Sequence, residues 1–183
     1  EEKQIKDKEK LNVFFMGSTY NVSHNKKALE KVVKEIIPLV NKKYPNKFLF
    51  HITGGKLPKD FDNLFSDNTT YHGFVPDRDI FLEDMDIALT PSLFGAGMQQ
   101  KIFEPIARGI PTVASTRGLA GYPFKDKEHL LLADTAEDFA QALGEMIDFT
   151  KRKDLSLNAK ELCRDIFSEG KIKEVVASSL EVI

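Results

Sequence analysis

Lys101, Glu104 and Arg108 stand three and four positions apart in the stretch PSLFGAGMQQKIFEPIARGIPTV, residues 91–113. On a helix that spacing puts them on one face, with a cation and a carboxylate a turn apart. Gly95-Ala96-Gly97 comes just before them. Small residues there let backbone N–H groups approach a ligand closely. A helix starting near Met98 or Gln99 would add its free amides and the positive end of its dipole, the makings of an anion site. The plain alternative is a surface ion-pair stripe, worth only a few tenths of a kcal/mol per pair.

The elements that must position these residues are readable around them. Met85 to Thr90 is a short apolar run, as expected of a buried parallel strand. Ile102, Phe103, Ile106, Ala107 and Ile110 recur at helical spacing and predict the buried face of the helix. Gly109 predicts its stop and Pro111 the approach to the next strand. Further strands are expected at Leu11–Met16, Lys47–Thr53, Thr69–Gly73, Thr112–Ser115 and His129–Leu132. Ser23 or Asn25 is suited to cap the first helix, and Pro38 to kink it near its end. Thr135 and Asp138 predict a capping box, with helices near 152–167 and 170–182 finishing the chain.

Alternating strands and helices with short connections imply an α/β fold, a parallel sheet of about six strands with helices on both faces. Ligands in such folds bind beyond the carboxyl ends of the strands. Glycine-bearing turns are expected at those ends: Gly17-Ser18, Gly54-Gly55, Gly73-Phe74 and Gly95-Ala96-Gly97. Their agreement says more than any one turn. Tyr20 and Asn21 are candidates for the acceptor side of such a cleft.

Composition narrows the function. Its 26 basic and 28 acidic residues leave a formal charge of −2, which gives no argument for nucleic acid. No apolar run reaches membrane-spanning length and no signal peptide opens the chain, so a cytoplasmic location is expected. Cys163, in a helical apolar pattern, reads as a packed thiol in a reducing compartment. The four histidines lack metal-ligand spacing to cysteines or carboxylates, so no metal site is expected. Residues 1–10, EEKQIKDKEK, read as a charged linker or boundary segment, and residues 11–183 as one ligand-binding domain.

The run Thr90-Pro91-Ser92, Gly95-Ala96-Gly97, Lys101, Glu104-Pro105, Ala107, Gly109 and Pro111-Thr112-Val113-Ala114-Ser115 resembles the donor-binding segment of GT-B glycosyltransferases, specifically family 4. Gly17-Ser18 with Asn25, Ile52-Thr53-Gly54-Gly55, His72-Gly73-Phe74-Val75-Pro76-Asp77 and Gly118-Leu119-Ala120-Gly121 are similar to further segments of that family, in order, over roughly residues 11–168. The resemblance implies the Rossmann-like C-terminal half of a GT-B fold. It implies that Glu104 holds the ribose hydroxyls and Lys101 the diphosphate or sugar, these two being the catalytic candidates. Gly95, Ala96, Gly97, Met98 and Gln99 would cradle phosphate, with Gly17, Ser18 and Gly54 nearby, and Phe74 and Val75 would flank the base.

The family often has two glutamates separated by seven residues; the first position is Ala96 here, and Ala120 stands where another glutamate is common. Pro105 replaces a usual alanine. A basic residue that usually precedes the lysine has no counterpart in line, which leaves Arg78 and Arg117 as candidates. The resemblance implies a retaining, metal-independent hexosyltransferase of bacterial polysaccharide or glycoconjugate synthesis, with no cofactor beyond the nucleotide-sugar donor. The sugar or lipid-linked acceptor, and any membrane contact at the inner face, would come through an N-terminal domain. A nucleotide-sugar 2-epimerase and a non-catalytic nucleotide-sugar binder are the alternatives.

Overall fold

The computed structural model describes residues 4–61, 63–92 and 100–180. Among these, the strands are β1 (Leu11–Thr19), β2 (Phe48–Gly55), β3 (Thr69–Gly73), β4 (Ile87–Thr90), β5 (Thr112–Ala114) and β6 (Leu131–Leu132). All pair in parallel, in the order β3-β2-β1-β4-β5-β6. This is the doubly wound order, in which strand sequence reverses between β1 and β4 and opens a crevice at their carboxyl ends.

Helices cover both faces because the central strands β1 and β4 carry buried apolar side chains on both. Leu11, Val13 and Phe15 of β1 join one core with Phe48, Phe50 and Ile52 of β2. That core is closed by α1 (Ser23–Lys31), α2 (Ile37–Lys43) and α5 (Ala136–Glu145). Phe14, between Val13 and Phe15, points the other way, against Leu82, Met85 and Ile110. On that second face lie α3 (Arg78–Glu83), α4 (Gln100–Ala107) and α6 (Phe149–Phe167), with Ile102, Ile106, Ala159 and Cys163 buried together. The thiol of Cys163 is packed, and burial pushes its pKa up. The last helix, α7, spans Glu169–Leu180.

Several expectations shift. β1 and β2 run past their predicted ends, because Thr19 pairs with Gly55 after an irregularity between Met16 and Thr19. Neither Ser23 nor Asn25 caps α1: the cap position is Val22, without a side-chain bond. Between α1 and α2 the chain winds as a π-helix over Val32–Ile36, with the Ile37 amide bonded to the Val32 carbonyl. Pro38 accounts for this, since it cannot donate in the ladder and the preceding turn widens. The predicted capping box at Thr135 and Asp138 is present. Residues 4–10 have no regular structure, but Lys8 pairs with the buried Asp86 at 2.8 Å and the Lys6 carbonyl accepts from Arg152 at 3.0 Å.

Candidate functional site

At the β1/β4 crevice lies a cleft of about 580 Å³ lined by residues of β1, β2, the β3–α3 loop, α3 and α4. Gly17, Ser18, Gly54, Phe74, Val75, Lys101 and Glu104 all line it. Residues distant in sequence are thus brought together as expected from their separate turns. Gly95, Ala96, Gly97, Met98 and Gln99, and with them the helix start expected near Met98 or Gln99, lie outside the described residues.

The floor beside β1 and β2 is shaped by Tyr20. Its ring is buried, stacked on Phe15 with centroids 6.4 Å apart, and its hydroxyl donates to the Thr53 carbonyl at 2.6 Å. The ring fits because Gly17 and Gly54 have no side chains. A Cβ at Gly17 would sit 2.5 Å from the ring, and one at Gly54 would sit 2.6 Å from the Gly17 carbonyl oxygen. Gly54 also has φ of +139°, a conformation side chains disfavour. Tyr20 therefore does not face an acceptor, contrary to its expected placement. Burial pushes its phenol far above the ordinary range, which removes it from proton transfer. Asn21 is exposed, and its Oδ1 accepts from the Thr19 hydroxyl at 2.6 Å.

Asn25 works as a tie, reaching back from α1. Its Nδ2 donates to the Thr19 carbonyl at 2.9 Å and to Ser18 Oγ at 3.2 Å. This fixes the loop that carries Gly17 and Ser18 into the cleft.

The opposite wall is charged. Asp77 caps α3, its carboxylate accepting from the Asp79 and Ile80 amides at 3.1 Å each. That turn places Arg78 in the cleft, where its guanidinium meets Glu104 Oε2 at 3.2 Å. Phe74 leads into the same turn and is 79% exposed, so it is a surface of the cleft rather than core. Glu104 has 17% of its side chain exposed, and its Oε1 accepts from Arg108 Nη2 at 3.4 Å. The ion pair weighed as the plain alternative therefore exists, while the carboxylate still lines the cleft. Lys101, a turn away, makes no side-chain hydrogen bond or ion pair among the described residues. Burial pushes its ammonium pKa down.

α4 is held from its far end. Gly109, with φ of +73°, lets its amide bond the Ile106 carbonyl at 2.8 Å and the Ile110 amide bond that of Pro105 at 2.9 Å. This is the Schellman stop that the glycine predicts. The buried face is Ile102, Pro105 and Ile106; Ala107, expected there, is exposed and Phe103 is half-buried. Arg117 is exposed on the turn Thr116–Leu119 and is not among the lining residues, so Arg78 is the candidate that reaches the cleft.

Thr53, Asn25, Pro76 and Phe81 also line the cleft and were not singled out as ligand residues. Phe81 further packs edge-on against His51 and His72. Asn12 Nδ2 donates to the Asp84 carbonyl at 2.9 Å, which leaves Oδ1 to accept from His51 Nε2 at 3.2 Å. His51 Nδ1 lies 3.0 Å from His72 Nε2, a pair in which one nitrogen donates and the other accepts. Burial pushes both pKa values down, which favours the neutral rings. His24 is exposed at the start of α1. Among the described residues, no three or more His, Cys, Asp or Glu side chains cluster as metal ligands, and no helix is long and apolar enough to cross a membrane.

The sequence model of the family described as Glycosyl transferases group 1 matches residues 10–148. No curated protein matches the sequence significantly. Among solved structures, TarM of S. aureus is 19% identical with a TM-score of 0.76 over 97% of this chain and 36% of its own. The C-terminal domain of the group 1 glycosyl transferase LpcC from Francisella tularensis is 19% identical, with a TM-score of 0.71 over 87% of each chain. HepE of Anabaena, solved with UDP-glucose, is 16% identical with a TM-score of 0.72 over 95% of this chain and 49% of its own. The chain thus spans about a third of TarM and half of HepE, but most of the LpcC domain. The shared architecture is the Rossmann-like half of the GT-B fold.

Proposed function

The chain belongs to the group 1 glycosyl transferases, and from that premise we propose that it is the C-terminal, donor-binding half of a family 4 enzyme. The observation that carries this reading is the pairing of Lys101 and Glu104, one turn apart on α4, in a cleft at the β1/β4 switch point. HepE holds UDP-glucose and TarM holds UDP in their own structures, so a uridine nucleotide-sugar is the first donor to test.

In this reading Glu104 accepts hydrogen bonds from the ribose hydroxyls, a charge-assisted pair contributing roughly 1.5–3 kcal/mol per bond. Phe74 offers an exposed ring to the base, beside Val75. Lys101 faces the diphosphate. Its ammonium is desolvated and unpartnered among the described residues, so an anion alongside would restore the charged form that burial disfavours. As the glycosidic bond breaks, negative charge gathers on the departing nucleoside diphosphate. Lys101 and backbone amides fixed beforehand would stabilise that charge in the transition state more than in the ground state. These groups supply the electrostatic work without calling on a metal, and transfer is proposed to be retaining. The acceptor would enter from an N-terminal half, in a cytoplasmic enzyme at the inner face of the membrane that makes polysaccharide or glycoconjugate.

Calorimetric titration of the 183-residue chain with UDP, GDP, ADP and dTDP tests the binding function. Binding of at least one, with a matching rise in thermal stability, is expected. Folded protein that binds none of them overturns the proposal.

A further inference from the structure

We propose that Arg108 is the positioning residue of the ribose carboxylate: from outside the cleft it holds Glu104 in the orientation that two vicinal hydroxyls require. The inference rests on the donor-site reading above.

The two arginines that touch Glu104 stand in different places. Arg78 meets Oε2 and is itself a wall of the cleft, on the ligand side. Arg108 meets Oε1 and is not a lining residue of that cleft. It borders a separate groove between α4 and α6, with Phe103, Cys163 and Phe167. A bound nucleotide therefore meets Arg78 directly and Arg108 only through Glu104.

Arg108 is also anchored twice. The same Nη2 that reaches Glu104 at 3.4 Å meets Asp79 Oδ1 at 2.5 Å. Asp79 lies in the first turn of α3, which the Asp77 cap fixes. One guanidinium thus joins a carboxylate on α3 to one on α4, across the two elements that build the charged wall. As partly exposed ion pairs these bonds add little to stability. Their effect is on geometry. A free glutamate samples several rotamers, and a ligand that needs both carboxylate oxygens must first order it. Arg108 does that ordering in advance, leaving the remaining acceptor positions of the carboxylate to the cleft. A lysine would keep the charge, but its compact ammonium on a flexible stem would hold the two carboxylates less firmly than a planar guanidinium.

The test is the dependence of binding on the ribose hydroxyls. The 183-residue chain and its R108A, R108K and D79N variants are titrated with UDP, GDP and ADP and with the 2′,3′-dideoxy form of each. The wild type should prefer the ribose form by about tenfold or more. R108A should weaken the ribose form about 5–20-fold while leaving the dideoxy form within about twofold, so that the preference collapses. R108K and D79N should fall between, and thermal unfolding confirms that each variant is folded. Equal losses for both forms would make Arg108 a mere staple between helices and overturn the inference, as would an unchanged preference in R108A and R108K. Failure of the donor reading shows elsewhere, in a wild type that binds no nucleotide or ignores the hydroxyls, and takes the inference with it.

Discussion

The wall of the cleft made by β1 and β2 is backbone closed over an aromatic ring, whereas the wall made by α3 and α4 is charged side chains tied to one another. On the first wall, Gly17 and Gly54 press against Tyr20 at distances that admit no Cβ. Along and behind the second, Arg78, Glu104, Arg108 and Asp79 meet at 2.5 to 3.4 Å, with Glu104 largely covered and the other three open to water. Steric fit of the first kind tolerates almost no change, because a packed interior has no slack. Ion pairs of the second kind cost little to rearrange. The fold thus sets one wall by packing and the other by pairing, and a substitution costs more stability in the first.

The comparison breaks most visibly at Gly54. Gly54→Ala should destabilise the chain by about 3 kcal/mol or more, since it combines a disfavoured backbone conformation with a clash; chemical denaturation measures it. An ordinary stability for this variant would mean that the first wall is as pliable as the second. Glu104→Ala should do the reverse, weakening nucleotide binding by roughly 1.5–3 kcal/mol in calorimetry while the unfolding midpoint barely moves. Full affinity in that variant would remove the ribose role. Tyr20→Phe keeps the ring that fills the first wall but drops its bond to Thr53, and should cost about 1–2 kcal/mol in unfolding free energy. A loss as large as that of Gly54→Ala would shift credit from shape to hydrogen bonding.

The smallest expected effect is on pH. Burial holds His51 and His72 below the ordinary histidine pKa in the folded chain. The unfolded chain then binds more protons between the folded pKa values and about 6.5, so stability rises with pH across that window and falls on acidification through it. Melting temperatures from pH 7.5 down to 5.5 should decline, and His72→Gln should flatten the decline by removing one titrating ring. An unchanged slope would place the acid sensitivity elsewhere than in the pair under Phe81.

Much of the fold was legible because most strands are short apolar runs closed by a glycine or a polar turn, and β3, less apolar, falls where the residues predict it. The site was legible as a set of turns at strand ends. What escaped depends on contacts between segments. Gly54-Gly55 reads as a sharp strand end, yet β2 continues, because Thr19 supplies a pairing partner that periodicity cannot foresee. Tyr20 reads as a polar-loop residue, yet it is buried, because two glycines distant in sequence make room for its ring. Arg78 needed a spatial partner to stand out from Arg117; the signal that could have found it was the Asp77 cap, which fixes the turn that carries it toward α4.

Pro105 gives α4 an uneven stiffness along its length. Proline has no N–H, so the Lys101 carbonyl lacks the amide that would normally lock the first turn to the next. Beyond it the ladder resumes, with the Arg108 amide on the Glu104 carbonyl at 3.1 Å and the Gly109 stop behind. The helix is therefore fastened behind Glu104 and short of one backbone bond at Lys101, where the carbonyl can accept from a donor outside the ladder.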